Sequence, residues 1–255
     1  MSMDARMARP VVSRARLSDS QIDDVAPRID YAQFLSHVFE WKQGQHISLI
    51  GPTDAGKTTM ALHLLDMAHY VTVFATKPKD ETLDALQHVG YRKMLRWKSY
   101  DPALIPKRLL WPKADQLYSA TRQRAIFQEA LNNIYPQGGW CVYFDELWFM
   151  CKQLKLETEV KTFLTQARSN KISMMLATQR PAHVPLEIYD MPHHLFFWND
   201  NDQRNLDRIS GISYANAAVI KDIVVHLEDH EVLYVHTRKK NFLYRFTAPP
   251  PPEGF

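Results

Sequence analysis

Short apolar runs alternate with segments of helical periodicity along most of the chain. The apolar runs predict strands at residues 46–50, 71–76, 140–144, 172–178 and 194–198. The periodic segments predict helices at residues 57–69, 80–90, 115–135 and 156–167, and Pro136 is expected to end the third. Two further runs, 233–236 and 242–246, flank a basic turn as in a hairpin. Strands that alternate with helices predict an α/β fold with a mainly parallel, buried sheet.

The two ends of the chain lack this periodicity. Residues 1–30 hold five arginines and five aspartates, for which we predict a flexible tail or an arm docked on a partner. Four prolines at 249–252 predict an extended C-terminal tail over residues 248–255. A single domain is therefore expected between the tails, at residues 31–247.

Composition narrows the class of protein without indicating a partner. The chain has 255 residues, 45% of them hydrophobic, which suffices for one sizeable core. Its formal net charge of +3 is too small by itself to indicate nucleic-acid binding. The two cysteines show no pairing pattern, and no apolar run is long enough to span a bilayer or to act as a secretory signal. We therefore expect a cytoplasmic protein.

Residues 51–58 match the phosphate-loop motif G-x-x-x-x-G-K-[ST] in full, between a predicted strand and a predicted helix. Such a loop turns its backbone N–H groups toward phosphate oxygens, and the helix N-terminus adds partial positive charge. Lys57 is expected to reach the β- and γ-phosphates, and the Thr58 hydroxyl to ligate magnesium. The motif thus predicts ATP and Mg²⁺ as ligands. The predicted nucleotide-binding residues are Gly51, Pro52, Thr53, Asp54, Ala55, Gly56, Lys57, Thr58 and Thr59.

Asp145 and Glu146 directly follow the predicted strand 140–144. Two carboxylates at the end of a buried strand are costly unless a cation or a reactant lies there. Beside a phosphate loop, Asp145 is expected to hold magnesium and Glu146 to activate the attacking water. A surface helix cap is the alternative. The spacing favours a P-loop NTPase with a RecA-like, mainly parallel sheet flanked by helices, in the branch with an additional strand and a catalytic glutamate.

The segment Ala-Thr-Gln-Arg-Pro at 177–181, together with Ala-Arg at 167–168, resembles the FtsK/HerA superfamily of DNA-translocating ATPases. The chain is similar to the compact members found in viruses and mobile elements. The resemblance implies that Gln179 senses the γ-phosphate. It also implies that Arg168 is a catalytic arginine finger, expected beside the nucleotide edge of the sheet and presented to a neighbouring subunit, with Arg180 as the competing candidate.

Residues 91–113 combine many cations with aromatic side chains and a single acid, Asp101. This composition suits a groove that follows a nucleic-acid backbone, projecting from the domain as a loop. The alternative is a solvated face whose aromatic residues belong to the core. The cations are Arg92, Lys93, Arg96, Lys98, Lys107, Arg108 and Lys113, and the aromatic residues are Tyr91, Trp97, Tyr100 and Trp111.

Taken with the resemblance, these motifs predict an ATP-driven translocase of double-stranded DNA that works as a homo-oligomeric ring, a hexamer. Genome packaging or transfer is the expected use, with a capsid or transfer-complex partner in the host cytoplasm. One alternative is another P-loop enzyme, a phosphotransferase or a terminase-type ATPase. The other is a nucleotide-gated assembly module that moves nothing.

Overall fold

The structure is a computed structural model that describes residues 17–212 and 216–252. Its centre is a nine-stranded sheet with the order β3-β4-β2-β5-β6-β1-β7-β8-β9. The strands are β1 (Ile47–Ile50), β2 (Val71–Phe74), β3 (Arg92–Met94), β4 (Lys107–Leu110), β5 (Cys141–Phe144), β6 (Ser173–Thr178), β7 (His194–Phe197), β8 (Glu231–His236) and β9 (Leu243–Thr247).

The first seven strands run parallel to one another, and β8 is antiparallel to both β7 and β9. The predicted α/β fold with a mainly parallel sheet is therefore confirmed, and so is the C-terminal hairpin. Strand β6 lies between β1, which precedes the phosphate loop, and β5, which precedes the two acids. This is the additional strand that the spacing of the motifs predicted.

Helices cover both faces of the sheet. Along β5, Val142 and Phe144 join the core on one face, whereas Cys141 and Tyr143 join the core on the other. Because every residue of β5 is buried, the strand is apolar throughout rather than alternating. The α-helices are α1 (Asp19–Val25), α2 (Tyr31–Gln33), α3 (Lys57–Leu65), α4 (Glu81–Ala85), α5 (Ala114–Leu117), α6 (Ala120–Gln137), α7 (Glu157–Gln166), α8 (Glu187–Asp190), α9 (Gln203–Arg208) and α10 (Ala217–Val224).

The predicted helix 115–135 is two helices, α5 and α6. Ser119 separates them, since its backbone is extended and its hydroxyl caps α6 by accepting from the Arg122 N–H. The expectation that Pro136 stops the helix was wrong. Pro136 lies inside the last turn of α6, where it removes only the hydrogen bond that its own N–H would make. The helix ends one residue later, before Gly138.

The basic segment 91–113 is part of the sheet and not a projecting loop, because it supplies β3 and β4 at one edge. Its aromatic residues Tyr91, Trp97 and Trp111 are buried. Arg108 is also buried, with its guanidinium 4.6 Å from the Trp97 ring centroid and 4.5 Å from that of Trp140. These side chains stabilise the core and are inaccessible to a nucleic acid. The groove predicted from their composition is thus wrong for this part of the segment.

The N-terminal arm, residues 17–30, packs on the domain and corrects the expectation of a flexible tail there. Ile22 of α1 is buried in the core. The arm then runs beside β9, where Ile29 N donates to Arg245 O at 2.8 Å and Arg245 N donates to Pro27 O at 3.0 Å. Residues 1–16 of the predicted tail lie outside the described residues.

The C-terminal segment has neither helix nor strand from residue 248 to 252. It nonetheless contacts the domain: Ala248 N donates to His230 O at 2.8 Å, and Pro250 O lies 2.8 Å from His63 Nε2 of α3. The segment therefore passes close to the helix that follows the phosphate loop. In the part of the chain that the structure describes, no helix combines the length and apolar character that crossing a membrane requires.

Candidate active site

The phosphate loop, residues 51–58, joins the end of β1 to the start of α3. Gly56 has a φ angle of 95° and Asp54 has one of 59°, so both adopt the left-handed conformation that lets the chain turn tightly. A Cβ at Gly51 would lie 2.7 Å from Cβ of Trp198, so only glycine fits there. All nine residues predicted to bind the nucleotide lie in this loop or in the first turn of α3.

Lys57 begins α3 and donates a hydrogen bond across the loop to the carbonyl oxygen of Pro52. Burial lowers the pKa of Lys57, and the carboxylates of Asp145 and Glu146 oppose that shift. The lysine is thus electrostatically coupled to both acids. A cation held between a phosphate loop and two carboxylates suits contact with the terminal phosphates of a nucleotide.

The predicted magnesium ligands lie together. Thr58 Oγ1 donates to Asp145 Oδ1 at 2.8 Å, and the same carboxylate oxygen accepts from the Tyr143 hydroxyl at 2.6 Å. A hydroxyl and a carboxylate are the hard oxygen ligands that Mg²⁺ prefers. These two side chains would supply one or two ligands to Mg²⁺, and water and phosphate oxygens would supply the others.

Glu146 lies beside Asp145 and contacts the third predicted site residue. Gln179 Nε2 donates to Glu146 Oε2 at 2.5 Å, and the Thr53 hydroxyl of the phosphate loop donates to Gln179 Oε1. Burial and the charge of Asp145 raise the pKa of Glu146. Its other oxygen, Oε1, is buried without a hydrogen-bond partner among the described residues.

Two side chains near the acids were missed from the sequence. Tyr143 precedes Asp145 by two positions, so alternation along β5 places both on one face, and this signal could have identified it. Lys77 follows β2, and its charge acts on both Glu146 and Lys57. Since β2 and β5 are parallel neighbours, a lysine after β2 falls at the same edge as the acids.

Tyr143→Phe is expected to raise the magnesium concentration for half-maximal nucleotide binding by roughly 10-fold, because Asp145 loses a donor that orients it. Burial and Asp145 raise the pKa of Tyr143, so the hydroxyl stays protonated and able to donate. Magnesium titration of ATP binding is the measurement. Tyr135→Phe, which removes an exposed hydroxyl bonded to Gln166, is the matched control. An unchanged magnesium requirement with intact thermal stability would exclude this role.

Arg168 does not lie beside the nucleotide edge, and the predicted placement was wrong. It precedes β6, at the edge of the sheet where the parallel strands begin, whereas the phosphate loop follows β1. A Cβ at Gly44, which precedes β1, would lie 3.6 Å from Arg168 Cγ. The side chain is exposed and cannot serve the site of its own chain. A role in a neighbouring subunit stays a prediction.

Arg180, the competing candidate, follows Gln179 at the nucleotide edge. Its guanidinium carbon lies 4.8 Å from the ring centroid of Trp148. Structure and sequence therefore leave two arginines at opposite edges of the sheet, and each would meet a different surface of an adjoining subunit.

Exposed cations line a cavity of about 490 Å³ beside β3 and β4. Lys93 is held in place, since its ammonium lies 3.9 Å from the Trp111 ring centroid and 3.2 Å from Asp84 Oδ1. The other cations of the cavity are exposed, as is Tyr100. These remaining cations are Arg92, Arg96, Lys98 and Lys113.

No family model matches the chain, and no curated protein matches it. Among solved structures, the genome packaging NTPase B204 from Sulfolobus turreted icosahedral virus 2 in complex with sulfate is similar, with a TM-score of 0.59, 13% identity, and coverage of 83% of this chain and 100% of that one. The DNA-packaging ATPase B204 from Sulfolobus turreted icosahedral virus is also similar, with a TM-score of 0.60 and 13% identity. The match covers 84% of this chain and 100% of that one. The structure of the virus 2 protein in complex with ATP-γS has a TM-score of 0.58 and 12% identity. That match covers 83% of this chain and 100% of the other.

At such identities the likeness establishes the fold and not the activity. The similar chains are covered over their entire length and more than four fifths of this chain is matched, so the shared fold extends well beyond the phosphate loop. The chain therefore shares its fold with these two packaging enzymes.

Proposed function

We propose that this chain hydrolyses ATP with magnesium at the phosphate loop and uses the energy to move double-stranded DNA as a homo-oligomeric ring, a hexamer. One observation supports the proposal above all. Hydrogen bonds connect Thr53 of the phosphate loop to Gln179, and Gln179 to Glu146. A change at the terminal phosphate is thereby coupled to the base that activates water.

Each residue of the site has a defined chemical role. The loop amides and Lys57 bind the phosphates, and Glu146 orients a water molecule for in-line attack on the γ-phosphorus and accepts its proton. Thr58 and Asp145 would hold Mg²⁺, which neutralises developing charge on the phosphoryl oxygens. Gln179 holds Glu146 through its amide, so it can report whether a γ-phosphate is present.

Double-stranded DNA as the substrate is supported by the fold and by the charge of one surface. Solved structures of this fold include enzymes named for genome or DNA packaging. The exposed cations around β3 supply the sequence-independent contacts that phosphate backbones require. Among the described aromatic residues nearby, Tyr100 and Tyr118 are exposed and able to stack or pack against a nucleic acid. A capsid or transfer complex is the partner that fits this use.

Replacing Arg96 and Lys98 together with glutamine is expected to reduce the salt dependence of DNA binding. Each lost phosphate contact lowers the slope of log K against log salt by about 1, so a reduction of about 2 is expected. Binding is measured between low and moderate salt. Lys42→Gln with Lys155→Gln removes two exposed charges elsewhere and should leave the slope unchanged. An unchanged slope in the Arg96 and Lys98 variant would place the DNA on another surface.

The proposed activity is tested by ATP turnover with and without double-stranded DNA, followed by displacement of a protein roadblock from that DNA. Stimulation and displacement are expected together. Hydrolysis without displacement would favour the nucleotide-gated assembly module. Transfer of phosphate to an acceptor other than water would favour a phosphotransferase.

A further inference from the structure

A cavity of about 240 Å³ lies on the side of the phosphate loop away from the acids. One wall is the loop itself, residues 52–55, and the opposite wall is built by the ends of β7 and β8. The acids follow β5, on the β6 side of β1, whereas this cavity is on the β7 side. The acids and the cavity thus lie on opposite sides of the phosphate loop, as the two ends of a nucleotide bound across the loop would require.

The floor of the cavity contains an unused hydrogen-bond donor. Trp198 is 1% exposed and lies beneath the loop, and its indole Nε1 has no hydrogen-bond partner among the described residues. This nitrogen would lie 4.0 Å from a Cβ at Gly56, so it is directed at the phosphate loop. A buried donor without a partner is costly, which indicates that the cavity is built for a polar ligand.

An imidazole ring forms one wall. His230 is exposed, and its Nδ1 would lie 3.9 Å from a Cβ at Gly56. Its main chain is fixed, because Ala248 N donates to its carbonyl oxygen and its φ angle of 60° sets a tight turn before β8. A flat ring held beside a phosphate loop is a stacking surface for a nucleobase.

The charges of the cavity decide which part of a nucleotide it accepts. Carboxylates of Asp54, Glu228 and Asp229 line it, so a phosphate group is repelled. Glu228 is paired with Arg28 at 3.3 Å, whereas Asp229 is exposed and has no ion pair among the described residues. A free carboxylate is a good acceptor for the hydroxyl groups of a ribose. The uncharged nucleoside end of a nucleotide is therefore the part that fits.

We infer that this cavity binds the nucleoside of the triphosphate, with the His230 ring stacked on the base and Asp229 accepting from the ribose. The inference rests on the proposed nucleotide site and adds its base-binding residues. Asn199, another polar side chain of the cavity, donates to the carbonyl oxygens of Val225 and Leu227, so its amide is engaged by the backbone. Because the Asn199 amide is not free to bond the edge of the base, similar affinities for ATP and GTP are expected.

The test compares two ligands that share phosphates and differ in the nucleoside: ATP and inorganic tripolyphosphate, both with magnesium. His230→Asn removes the ring but tolerates the left-handed backbone. It is expected to weaken ATP binding by about 5- to 150-fold and to leave tripolyphosphate binding unchanged. His230→Phe keeps a flat ring and should retain most of the ATP affinity. His88→Asn, at an exposed histidine outside the cavity, is the control.

Equal ATP affinity in wild type and His230→Asn would overturn the inference, and so would parallel losses for ATP and tripolyphosphate. Both outcomes concern binding alone. They are therefore distinguishable from failure of the proposed function, in which ATP binds but is not hydrolysed or DNA is not moved. Loss of ATP affinity in His230→Phe equal to that in His230→Asn would also count against a stacked base.

Discussion

Replacing Glu146 with glutamine is expected to lower steady-state ATP turnover by about 10² to 10⁴-fold while ATP binding is retained. The amide keeps the shape of the side chain and can still hold a water molecule. It is, however, a very poor base. Gln179 can still contact position 146, because an amide oxygen accepts the same hydrogen bond that the carboxylate accepts in the wild type. Phosphate release under saturating ATP is the measurement.

The pH dependence of ATP turnover tests the same role of Glu146. Burial and the neighbouring Asp145 raise the pKa of Glu146, so the carboxyl group is protonated and inactive over a wider acidic range than an ordinary glutamate. Turnover should therefore fall on the acid side at a pH above the usual glutamate pKa, and this limb should vanish in Glu146→Gln. Glu129→Gln on the exposed face of α6 is the control. Turnover of Glu146→Gln within a few-fold of wild type would remove Glu146 from the role of base.

Arg168→Ala is expected to reduce turnover by about 10³ to 10⁵-fold if the residue is an arginine finger that acts in trans. The structure sharpens this expectation, because Arg168 lies at the edge of the sheet opposite the phosphate loop of its own chain. It can contribute only where a neighbouring subunit brings its nucleotide edge close. Arg168→Lys keeps the charge but loses the planar fork, so it should recover little of the activity.

Mixed rings separate action in trans from a local defect. Arg168→Ala subunits retain the phosphate loop, and Lys57→Ala subunits retain Arg168. Neither is expected to hydrolyse ATP alone, yet rings that contain both should regain activity. The same experiment with Arg180→Ala examines the competing arginine. Full activity of Arg168→Ala by itself would exclude it as the finger. Absence of recovery, with mixed rings demonstrated by mass measurement, would exclude action in trans.

The motif-bearing half of the site was predictable from sequence, because its residues follow strands directly. Thr58 and Asp145 are 87 positions apart along the chain, yet the phosphate loop that leads to Thr58 and the acidic pair each follow a parallel strand, and the carboxyl ends of such strands meet at one edge of a sheet. The contact between Gln179 and Glu146 follows from the same rule. Arg168 was misplaced because it comes before a strand, and the residues before parallel strands lie at the opposite edge.

The other errors come from tertiary packing. The segment that holds Trp97 and Arg108 has the composition of a nucleic-acid groove, but the Trp140 ring covers Arg108 and turns a surface pattern into core. The arm with Ile22 lacks periodicity, and its hydrogen-bond partners, Arg245 and Glu231 among them, are distant in sequence. His230 and Trp198 have no motif at all. Their roles depend on where β7 ends and β8 begins relative to the phosphate loop, which no local pattern reveals.

The pairing of the N-terminal arm with β9 bears on how the chain is made. Asp23 and Arg245 form an ion pair across 222 positions of sequence. At a ribosomal rate of about 5 to 20 residues per second, Asp23 is synthesised about 10 to 45 s before Arg245. Strand β1, which precedes the phosphate loop, also remains unpaired during synthesis, because both of its neighbours, β6 and β7, are made much later.

During that interval the nascent chain exposes apolar strands whose neighbours do not yet exist. The pairing of β1 and of the N-terminal arm therefore depends on strands that are made late. A fragment released before β8 and β9 would lack the partner of its own N-terminus, as well as the strands that flank the nucleoside cavity. Truncation before β8 is therefore expected to disrupt both the packing of the N-terminal arm and the cavity beside the phosphate loop.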